Sequence, residues 1–496
     1  MNHKEGIMPS ILLSRARDYE TEHLFDVPPA YLPRFHVTGG VGWINDPNGF
    51  SLYRDEYHLF FQYNPYDVYW GTIHWGHVKT RDFIRWERLP CALAPDKSYD
   101  EFGCFSGSAV ELRDGRHLLM YTGVAKADDG EDRQTQCIAF GDGINYEKYK
   151  ANPVITADLL PPDGSPVHFR DPKIQKAGDK FSAVVGNLTS DGSGAVLLFE
   201  SDDALHWRFV SKVAASEKRI GRMWECPDLF RLDGKDVLIV SPQEVRSHDL
   251  EFIDGNTTLC LIGELDENSR LIRQTEQTID YGLDFYAPQT VLTKDGRRVM
   301  IAWMQYWNSV GVRPIKELPF FGQMTLPREL NVRDGRLIQN PVRELLNYRG
   351  NKILYKNISV SEKIALSCVK GRSVDFTVRI KPDKSDRFKS VTVHVAEGKD
   401  HSVAVCYCPA AGTVLVDRSR GGWPEGVLNQ REFAVRDRAG EITLRFILDR
   451  YSIELFVNGG EEAASFAIFS PQEADGISFE AEGKAIADIE LYTLDI

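Results

Sequence analysis

Short apolar segments alternate with polar turns along almost the whole chain after residue 30. One unit recurs five times, and it consists of an apolar strand, a turn with an acidic residue or glycine, and a second apolar strand. Because side chains alternate between the two faces of a strand, this pattern predicts β-hairpins. The five turns lie about 55–65 residues apart, near Asp55, Asp114-Gly115, Gly178-Asp179, Asp233-Gly234 and Asp295-Gly296.

A second hairpin is predicted behind each of the first three units, in TRDFIRWERL, GDGINYEKYK and SDDALHWRFV. Aligned on Asp82, Asp142 and Asp203, these segments place an aromatic residue at the same offset after the aspartate. Two hairpins per repeat make four strands, and five such repeats predict a five-bladed β-propeller. A large sandwich is the alternative, which the regular spacing disfavours. The aromatic residues are Trp86, Tyr146 and Trp207.

The regular spacing ends after LPREL (326–330). From about residue 350 onward the strands become shorter and alternate more simply, which is typical of a β-sandwich. We therefore expect an all-β chain in three parts. These are an N-terminal extension over 1–32, a propeller over 33–340 and a C-terminal β-sandwich over 350–496.

Composition narrows the class of partner. Hydrophobic residues make up 42% and charged residues 26%, as in a globular protein, and 59 basic against 72 acidic residues give a net charge of −13. This acidic balance argues against nucleic acid or an anionic membrane surface as a partner. Eight scattered cysteines are too few for a disulfide scaffold, and the charged N-terminus lacks a secretory signal. Both features predict a cytoplasmic location.

Candidate chemistry lies at the start of each repeat, because the first strands of propeller blades line the central channel. Carboxylates are expected just before the first strands of blades one, three and four, at Asp46, Asp171 and Glu225. Asp-Pro-Asn-Gly and Asp-Pro are also good turn sequences, although a turn does not require the aromatic residues beside them. The five segments are WINDPNG (43–49), FSGS (105–108), FRDP (169–172), WECPD (224–228) and DFYAPQ (284–289).

Converging carboxylates with flanking aromatic residues indicate glycoside hydrolysis. One acid would protonate the leaving oxygen, and another would attack the anomeric carbon or activate water. Aromatic rings offer apolar faces to sugars, and Asn45, Gln62 and Arg170 offer hydrogen bonds to hydroxyl groups. Two alternatives remain, a hard cation such as calcium held by the three acids and a sugar-binding propeller without catalysis.

At these residues the sequence resembles glycoside hydrolase family 32, the β-fructofuranosidases. The resemblance spans roughly residues 33–490 and agrees with a five-bladed propeller followed by a sandwich. Further matching segments are FFQYNP (60–65), HWGHVKTRDFIRWE (74–87), FSGSAV (105–110), WECPDLF (224–230), LPREL (326–330), LVDRSRGG (415–422) and DRYSIELFVNGG (449–460).

The resemblance implies a retaining β-fructofuranosidase that cleaves sucrose or sucrose 6-phosphate, with no cofactor and no metal. Asp46 would be the nucleophile and Glu225 the general acid, about 5–5.5 Å apart, while Asp171 would hold the fructose hydroxyls and Arg170 would keep Asp171 ionised. An exo-acting hydrolase of short fructo-oligosaccharides is the alternative within the class. Implied substrate contacts are Trp43, Ile44, Asn45, Gln62, Trp70, Phe105, Ser106 and Arg170.

Several other residues complete these expectations. Tyr286 and Trp303 would border the site, whereas His74 and His77 are interpreted as packing residues. Many relatives carry a tryptophan where this chain has Phe320 and Phe321. This departure and the irregular segment YWNSVGVRPIKE (306–317) are expected to alter the pocket that binds the leaving group.

Overall fold

The computed structural model describes residues 8–127, 130–247, 249–383, 388–436 and 438–496. The beginning of the predicted N-terminal extension, residues 1–7, lies outside these ranges. Over the described ranges almost all regular structure is β-strand, so the prediction of an all-β chain is confirmed. In the same ranges the chain has no helix with the length and apolar character needed to cross a membrane.

An α-helix, α1 (Ile11–Leu24), precedes the strands. Ser10 caps it, since the Ser10 hydroxyl accepts a hydrogen bond from the Leu13 amide. The helix lies against the outer strand of the first sheet, where the Glu20 carboxylate accepts from the Cys91 amide and the Arg17 guanidinium donates to the Cys91 carbonyl. These two side chains satisfy backbone groups that an edge strand would otherwise leave open.

In the described part of the chain five sheets follow the helix. Four of them have four antiparallel strands, and the first has five because β19 joins its four consecutive strands. The first two sheets contain β1 (Gly42–Tyr53), β2 (Glu56–Asn64), β3 (His74–Thr80), β4 (Glu87–Leu93), β5 (Gly103–Glu111), β6 (His117–Lys126), β7 (Asp132–Gly141) and β8 (Tyr146–Lys148). The third and fourth contain β9 (Gly164–Ala177), β10 (Lys180–Thr189), β11 (Gly194–Ser201), β12 (Trp207–Ala215), β13 (Trp224–Leu232), β14 (Lys235–Pro242), β15 (Leu259–Leu265) and β16 (Leu271–Thr278). The fifth part of the chain contains β17 (Tyr286–Leu292), β18 (Arg298–Trp303), β19 (Phe320–Phe321), β20 (Arg328–Arg333) and β21 (Arg336–Pro341).

The first strands of the five sheets contact one another in cyclic order. Strand β1 contacts β5, β5 contacts β9, β9 contacts β13, β13 contacts β17, and β17 contacts β1 again. Strand β19 adds to this closure, because it leaves the fifth part of the chain and pairs in parallel with β1 of the first sheet. All five first strands therefore lie side by side around a common centre, which brings distant parts of the chain together.

The predicted hairpins are present. The five turns of the recurring unit join β1 to β2, β5 to β6, β9 to β10, β13 to β14 and β17 to β18. The second hairpins join β3 to β4, β7 to β8 and β11 to β12, and they supply the last two strands of the first three sheets. At each of them one aspartate oxygen accepts two backbone amides, as Asp82 does from Ile84 and Arg85, and the same pattern occurs at Asp142 and Asp203. This turn chemistry explains why the aspartate recurs.

The rest of the chain forms two six-stranded sheets that enclose one hydrophobic core. Val378, Leu444 and Ile489 of the first sheet share that core with Val393 and Val405 of the second. The strands are β22 (Arg349–Val360), β23 (Ile364–Lys370), β24 (Val374–Pro382), β25 (Ser390–Glu397), β26 (Ser402–Cys408), β27 (Thr413–Arg420), β28 (Gln430–Ala434), β29 (Ile442–Asp449), β30 (Ser452–Val457), β31 (Glu462–Ala467), β32 (Gly476–Glu482) and β33 (Ala485–Leu494). Elsewhere in the described ranges the chain forms short 3₁₀ turns at Pro29–Tyr31, Ala157–Leu159, Trp307–Ser309 and Arg343–Tyr348.

Buried charges join the five sheets to the last two. The Arg328 guanidinium bonds the Asp280 carboxylate at 2.8 Å and the Glu454 carboxylate at 2.6 Å, and all three side chains are fully buried. His36 lies between Asp449 and Glu454, at 2.8 and 2.9 Å. Removing one member of such a network leaves an uncompensated buried charge, so the network specifies how the two parts meet.

Candidate active site

Each of the five first strands loses register with its neighbour at one of the five sequence motifs, and β1 and β9 do so at a second place as well. The residues at these bulges are Asn45-Asp46, Ser106, Asp171-Pro172, Cys226-Pro227 and Ala287-Pro288. A bulge places extra residues on one strand and re-aims their side chains. The expectation that the acids precede the first strands is therefore wrong in detail, because Asp46, Asp171 and Glu225 lie within them.

Three of the bulges contain a non-glycine residue with positive φ directly before a proline. The φ angles are 66° at Asp171, 47° at Cys226 and 52° at Ala287. Such conformations cost roughly 1–3 kcal/mol each and persist only where the surrounding structure imposes them. Proline suits these positions because a residue in a bulge does not need a backbone N–H for hydrogen bonding to the neighbouring strand. The repeated X-Pro pairs are thus part of the device that turns side chains toward the centre.

Residues at or directly beside the first four bulges line a pocket of about 470 Å³, which is large enough for a small sugar. Asp46, Asp171 and Glu225 all line this pocket, although they come from three different sheets. The complete wall comprises Asn45, Asp46, Gln62, Trp70, Phe105, Asp132, Gln134, Val167, His168, Arg170, Asp171, Glu225, Gln243, Asn256, Trp307 and Asn308.

The Asp46 carboxylate is held by neutral hydrogen-bond donors. Its Oδ2 atom accepts from the Ser106 hydroxyl at 2.7 Å and from the Gln62 amide at 3.3 Å, and its Oδ1 atom accepts from the Asn45 amide at 3.1 Å. Burial and the nearby Glu225 charge raise the pKa of Asp46, while the bonds from Ser106 and Asn45 lower it. The donors thus oppose the effect of burial and fix both carboxylate oxygens in place.

Asp171 lies on the other side of the Cys226 thiol. Its Oδ2 atom accepts the Cys226 amide at 3.0 Å, and the Cys226 sulfur is 3.6 Å from both Asp171 Oδ2 and Asp46 Oδ2. Burial, followed by the negative charge of Glu225, raises the pKa of Asp171 to about 7. The two aspartates are therefore close neighbours in a site that resists a further negative charge.

Glu225 is bound on both of its oxygens. The Arg170 guanidinium donates to Oε1 through Nε at 2.9 Å and Nη2 at 2.8 Å, and the Tyr286 hydroxyl donates to Oε2 at 2.6 Å. Arg170 lowers the pKa of Asp171, as expected, but burial and the charge of Glu225 outweigh this effect, and the hydrogen bonds of the guanidinium go to Glu225. Neighbours in sequence such as Arg170 and Asp171 point differently here because the bulge separates them.

The predicted contact residues divide into two groups. Asn45, Gln62, Trp70, Phe105 and Arg170 lie on the pocket wall. The remaining three, Trp43, Ile44 and Ser106, are almost fully buried and lie behind it. The Trp43 indole donates to Asn45 Oδ1 at 2.8 Å, and Ser106 bonds Asp46, so Trp43 and Ser106 reach the pocket through a wall residue.

Phe321 packs directly against the aromatic residues behind the pocket wall. Phe320 and Phe321 form β19, and the Phe321 ring stacks on Trp43 with centroids 4.9 Å apart and planes 6° apart. The stack supports the indole that holds Asn45. Trp303 is fully buried in the same aromatic cluster and is absent from the wall, whereas Tyr286 reaches the site through Glu225.

Several wall residues were not predicted, among them Asp132, Gln134, His168, Gln243 and Asn256. They belong to loops or strand ends without an informative motif. Trp307 and Asn308 lie in the segment whose irregularity had been noted, and that irregularity was the available signal.

The paired histidines of HWGH are buried packing residues. His77 stacks on Phe60 with centroids 3.9 Å apart and bonds His58, while His74 bonds the Thr72 carbonyl. Within the described residues, no group of three or more histidine, cysteine, aspartate or glutamate side chains is arranged to hold a metal ion.

Comparison with known proteins agrees with this geometry. Residues 36–341 match the model of the glycosyl hydrolases family 32 N-terminal domain, and residues 344–493 match that of the family 32 C-terminal region. A sucrose-6-phosphate hydrolase of Bacillus subtilis is 34% identical over 471 residues, covering 93% of each chain. A raffinose invertase of Escherichia coli is 34% identical over 475 residues, covering 92% of this chain and 93% of the relative.

Solved structures are similar over the full length. A GH32 β-fructofuranosidase of Bombyx mori superposes with a TM-score of 0.82 at 32% identity, covering 97% of each chain. A variant of that enzyme in complex with sucrose also gives 0.82, at 31% identity and 98% coverage of this chain and 99% of that one. Because the two family models match adjacent stretches that together cover most of the chain, the chain belongs to glycosyl hydrolase family 32.

Proposed function

We propose that this family 32 enzyme is a retaining β-fructofuranosidase. It cleaves the terminal β-D-fructosyl bond of sucrose or sucrose 6-phosphate through a covalent fructosyl-enzyme intermediate. The observation that carries the proposal is the shared pocket of Asp46 and Glu225, whose environments differ in kind. Relatives named sucrose-6-phosphate hydrolase and raffinose invertase, and a similar structure that holds sucrose, support the substrate.

Asp46 is proposed as the nucleophile. One carboxylate oxygen attacks the anomeric carbon of fructose and forms an ester, while the bond from that carbon to the leaving oxygen breaks. The donors from Ser106, Gln62 and Asn45 support this role, because they fix the carboxylate and favour its ionised form. None of these donors carries a positive charge, which would lower the nucleophilicity of the Asp46 carboxylate.

Glu225 is proposed as the acid and then the base. In the first step its proton passes to the departing glycosidic oxygen, and in the second step it accepts a proton from the water that cleaves the ester. The fork from Arg170 and the bond from Tyr286 hold Glu225 in one orientation. This orientation supports repeated proton transfer at a single point of the pocket.

Asp171 is proposed to bind fructose hydroxyl groups and to stabilise the positive charge that develops on the sugar ring. The raised pKa of about 7 supports a hydroxyl contact, since the carboxyl group can accept or donate a hydrogen bond near neutral pH. Asn45, Gln62, Trp70, Phe105 and Arg170 would contact the substrate directly. Trp43, Ile44 and Ser106 would position those residues from behind the wall.

We also propose the finer architecture. The cyclic contacts of the first strands support a five-bladed β-propeller over 33–340, and the shared core of the last two sheets supports a β-sandwich over 350–496, after an extension over 1–32. A cytoplasmic location stays our proposal and is supported by eight cysteines that are all unpaired.

The test is the stereochemistry of sucrose hydrolysis, followed by NMR during the first turnovers. Retention predicts β-D-fructofuranose as the first product, and an inverted first product would contradict the roles of Asp46 and Glu225. Asp46→Asn and Glu225→Gln should each lower kcat by about 10³-fold or more. The matched control is Asp202→Asn at an exposed outer hairpin. If Asp46→Asn folded and kept full turnover, the role of Asp46 as nucleophile would be contradicted. A folded wild-type protein that bound sucrose without cleaving it would instead be a binding protein.

A further inference from the structure

The leaving-group side of the pocket can be identified from Glu225, because the acid must face the oxygen that departs. Glu225 bonds Arg170, and Arg170 Nη1 lies 3.5 Å from His168 Nδ1. Gln243 follows the strand that pairs with the start of β13. Besides the acids and Arg170, the polar side chains that share the wall with Glu225 include His168, Gln243, Asn256 and Asn308, all of them neutral or weakly basic.

The charges on the wall are mostly negative. Among its described residues the wall holds four carboxyl groups, Asp46, Asp132, Asp171 and Glu225, and a single guanidinium, Arg170. Arg170 already donates two hydrogen bonds to Glu225. Diverting it to another anion would leave Glu225 without its cation in a largely buried position, which is costly.

His168 does not supply a positive charge that could bind a phosphate group. Burial, together with the positive charges of Arg170 and Arg222, lowers the pKa of His168, so the ring is neutral at pH 7. It can donate a single hydrogen bond, which suits a hydroxyl group. A phosphate dianion is normally met by the fork of an arginine or by the ammonium group of a lysine.

The basic residues just outside the wall are also paired. Lys126 Nζ lies 2.5 Å from Asp132 Oδ1, and Arg222 Nη1 lies 3.5 Å from Glu244 Oε1. The 3₁₀ turn Trp307–Ser309 at the rim is too short to act as an anion site. For the described part of the chain, each basic side chain on the wall, and each of these two beside it, has a carboxylate partner.

From these contacts we infer that the leaving-group half of the pocket is built for an uncharged sugar and selects against one that carries phosphate. This inference rests on the proposed function and deepens it. The neutral amides and the indole of Trp307 offer hydrogen bonds and an apolar face, which recognise glucose hydroxyls. Glu225 carries its proton in the first step, so the repulsion of a phosphate dianion on the same sugar comes from the other carboxylates of the wall. This repulsion is effective because like charges in a partly desolvated pocket are poorly screened.

The experiment compares kcat/KM for sucrose and sucrose 6-phosphate at pH 7 and low ionic strength. The inference expects a ratio of about threefold or more in favour of sucrose, and a smaller ratio or a preference for sucrose 6-phosphate overturns it. If neither sugar is cleaved, the proposed function fails instead. Raising ionic strength should increase kcat/KM for sucrose 6-phosphate and leave that for sucrose nearly constant.

A pair of variants separates charge repulsion from a poor fit. Asp132→Asn removes one carboxylate and releases Lys126, so the preference for sucrose should narrow by at least about twofold. Asp202→Asn makes the same charge change at an exposed hairpin and should leave the preference as it is. A preference that is insensitive to both ionic strength and Asp132→Asn would overturn the electrostatic inference.

Discussion

The hydroxyl of Tyr286 lies 2.6 Å from Oε2 of Glu225, so a residue of the fifth sheet holds the proposed acid of the fourth. The two residues are 61 positions apart in the chain. Each lies at the start of the first strand of its sheet, directly before a bulge. Neighbouring sheets therefore build the site together. Tyr286 is a positioning residue for Glu225, and its loss should lower kcat measurably.

Tyr286→Phe removes a hydrogen bond to a carboxylate without removing the ring. We expect kcat for sucrose to fall by about tenfold with little change in KM, because the acid loses orientation while the substrate contacts stay. Steady-state kinetics would measure both constants. Tyr281→Phe is the matched control, since that hydroxyl bonds Glu251 away from the pocket. A rise in KM with kcat unchanged would assign Tyr286 to substrate binding instead.

Ser106→Ala removes the 2.7 Å hydrogen bond to Asp46. Because that bond lowers the pKa of Asp46 against the effect of burial, its loss should raise the pKa further. The acid limb of the profile of kcat/KM against pH should then move to higher pH, and kcat should fall by about tenfold or more. Ser108→Ala is the control, since the Ser108 hydroxyl bonds the Pro172 carbonyl. An acid limb that stays in place in Ser106→Ala would show that this hydroxyl does not tune Asp46.

Phe321→Ala should destabilise the protein and loosen the site. The ring is 6% exposed and stacks on Trp43, so its removal leaves a cavity that costs about 3 kcal/mol of unfolding free energy. Trp43 would also lose the support that places Asn45, and KM should rise. Chemical denaturation and kinetics measure the two effects. The control Phe25→Ala removes a ring that is 88% exposed and should change neither. Unchanged stability would mean that the stack is dispensable.

Stability should fall between about pH 6.5 and 9 because of His36. Burial alone would lower the pKa of His36, but its hydrogen bonds to Asp449 and Glu454 outweigh burial and raise it to about 9. Below the pKa of histidine in the unfolded chain, about 6.5, the protonated ring of His36 contributes its full stabilisation to the folded state. That contribution is lost as the pH rises through about 9, the pKa of His36 in the folded state. The loss is on the order of 3 kcal/mol.

Urea unfolding at a series of pH values would measure this loss. His36→Gln should be less stable at pH 6.5 and should show a flatter dependence up to pH 9.5. His206→Gln, at an exposed position, should follow the wild-type curve. Parallel curves for the wild type and His36→Gln would exclude His36 as the group responsible.

Much of the fold could be predicted because hairpins are local. The turns at Asp114-Gly115 and Asp233-Gly234 carry their own conformational preference, and Asp82 caps its turn with one side chain. The N-terminal helix was not foreseen. Its sequence has only a weak apolar face, and its position depends on Glu20 and Arg17 meeting the backbone of Cys91.

The three carboxylates could be singled out because their motifs recur at equivalent places of a repeat. The partners that surround each carboxylate could not be predicted in this way. The partner of Arg170 depends on the bulge at Asp171, where a positive φ turns neighbouring side chains to different targets. His168, Asn256 and Asn308 have no pattern of their own and join the wall only because the ring of sheets brings them there.

The sequence by itself determined the strands, their turns, the family and the three carboxylates, since these follow from short-range patterning and from motifs that can be read in order. Only the tertiary structure decided which oxygen faces which donor, that Glu225 rather than Asp171 holds Arg170, and that Trp43, Ile44 and Ser106 stand behind the wall. Those outcomes depend on contacts between residues 50 or more positions apart, such as Asp46 and Ser106. Their energies arise from burial and geometry that exist only once the sheets have closed around the pocket.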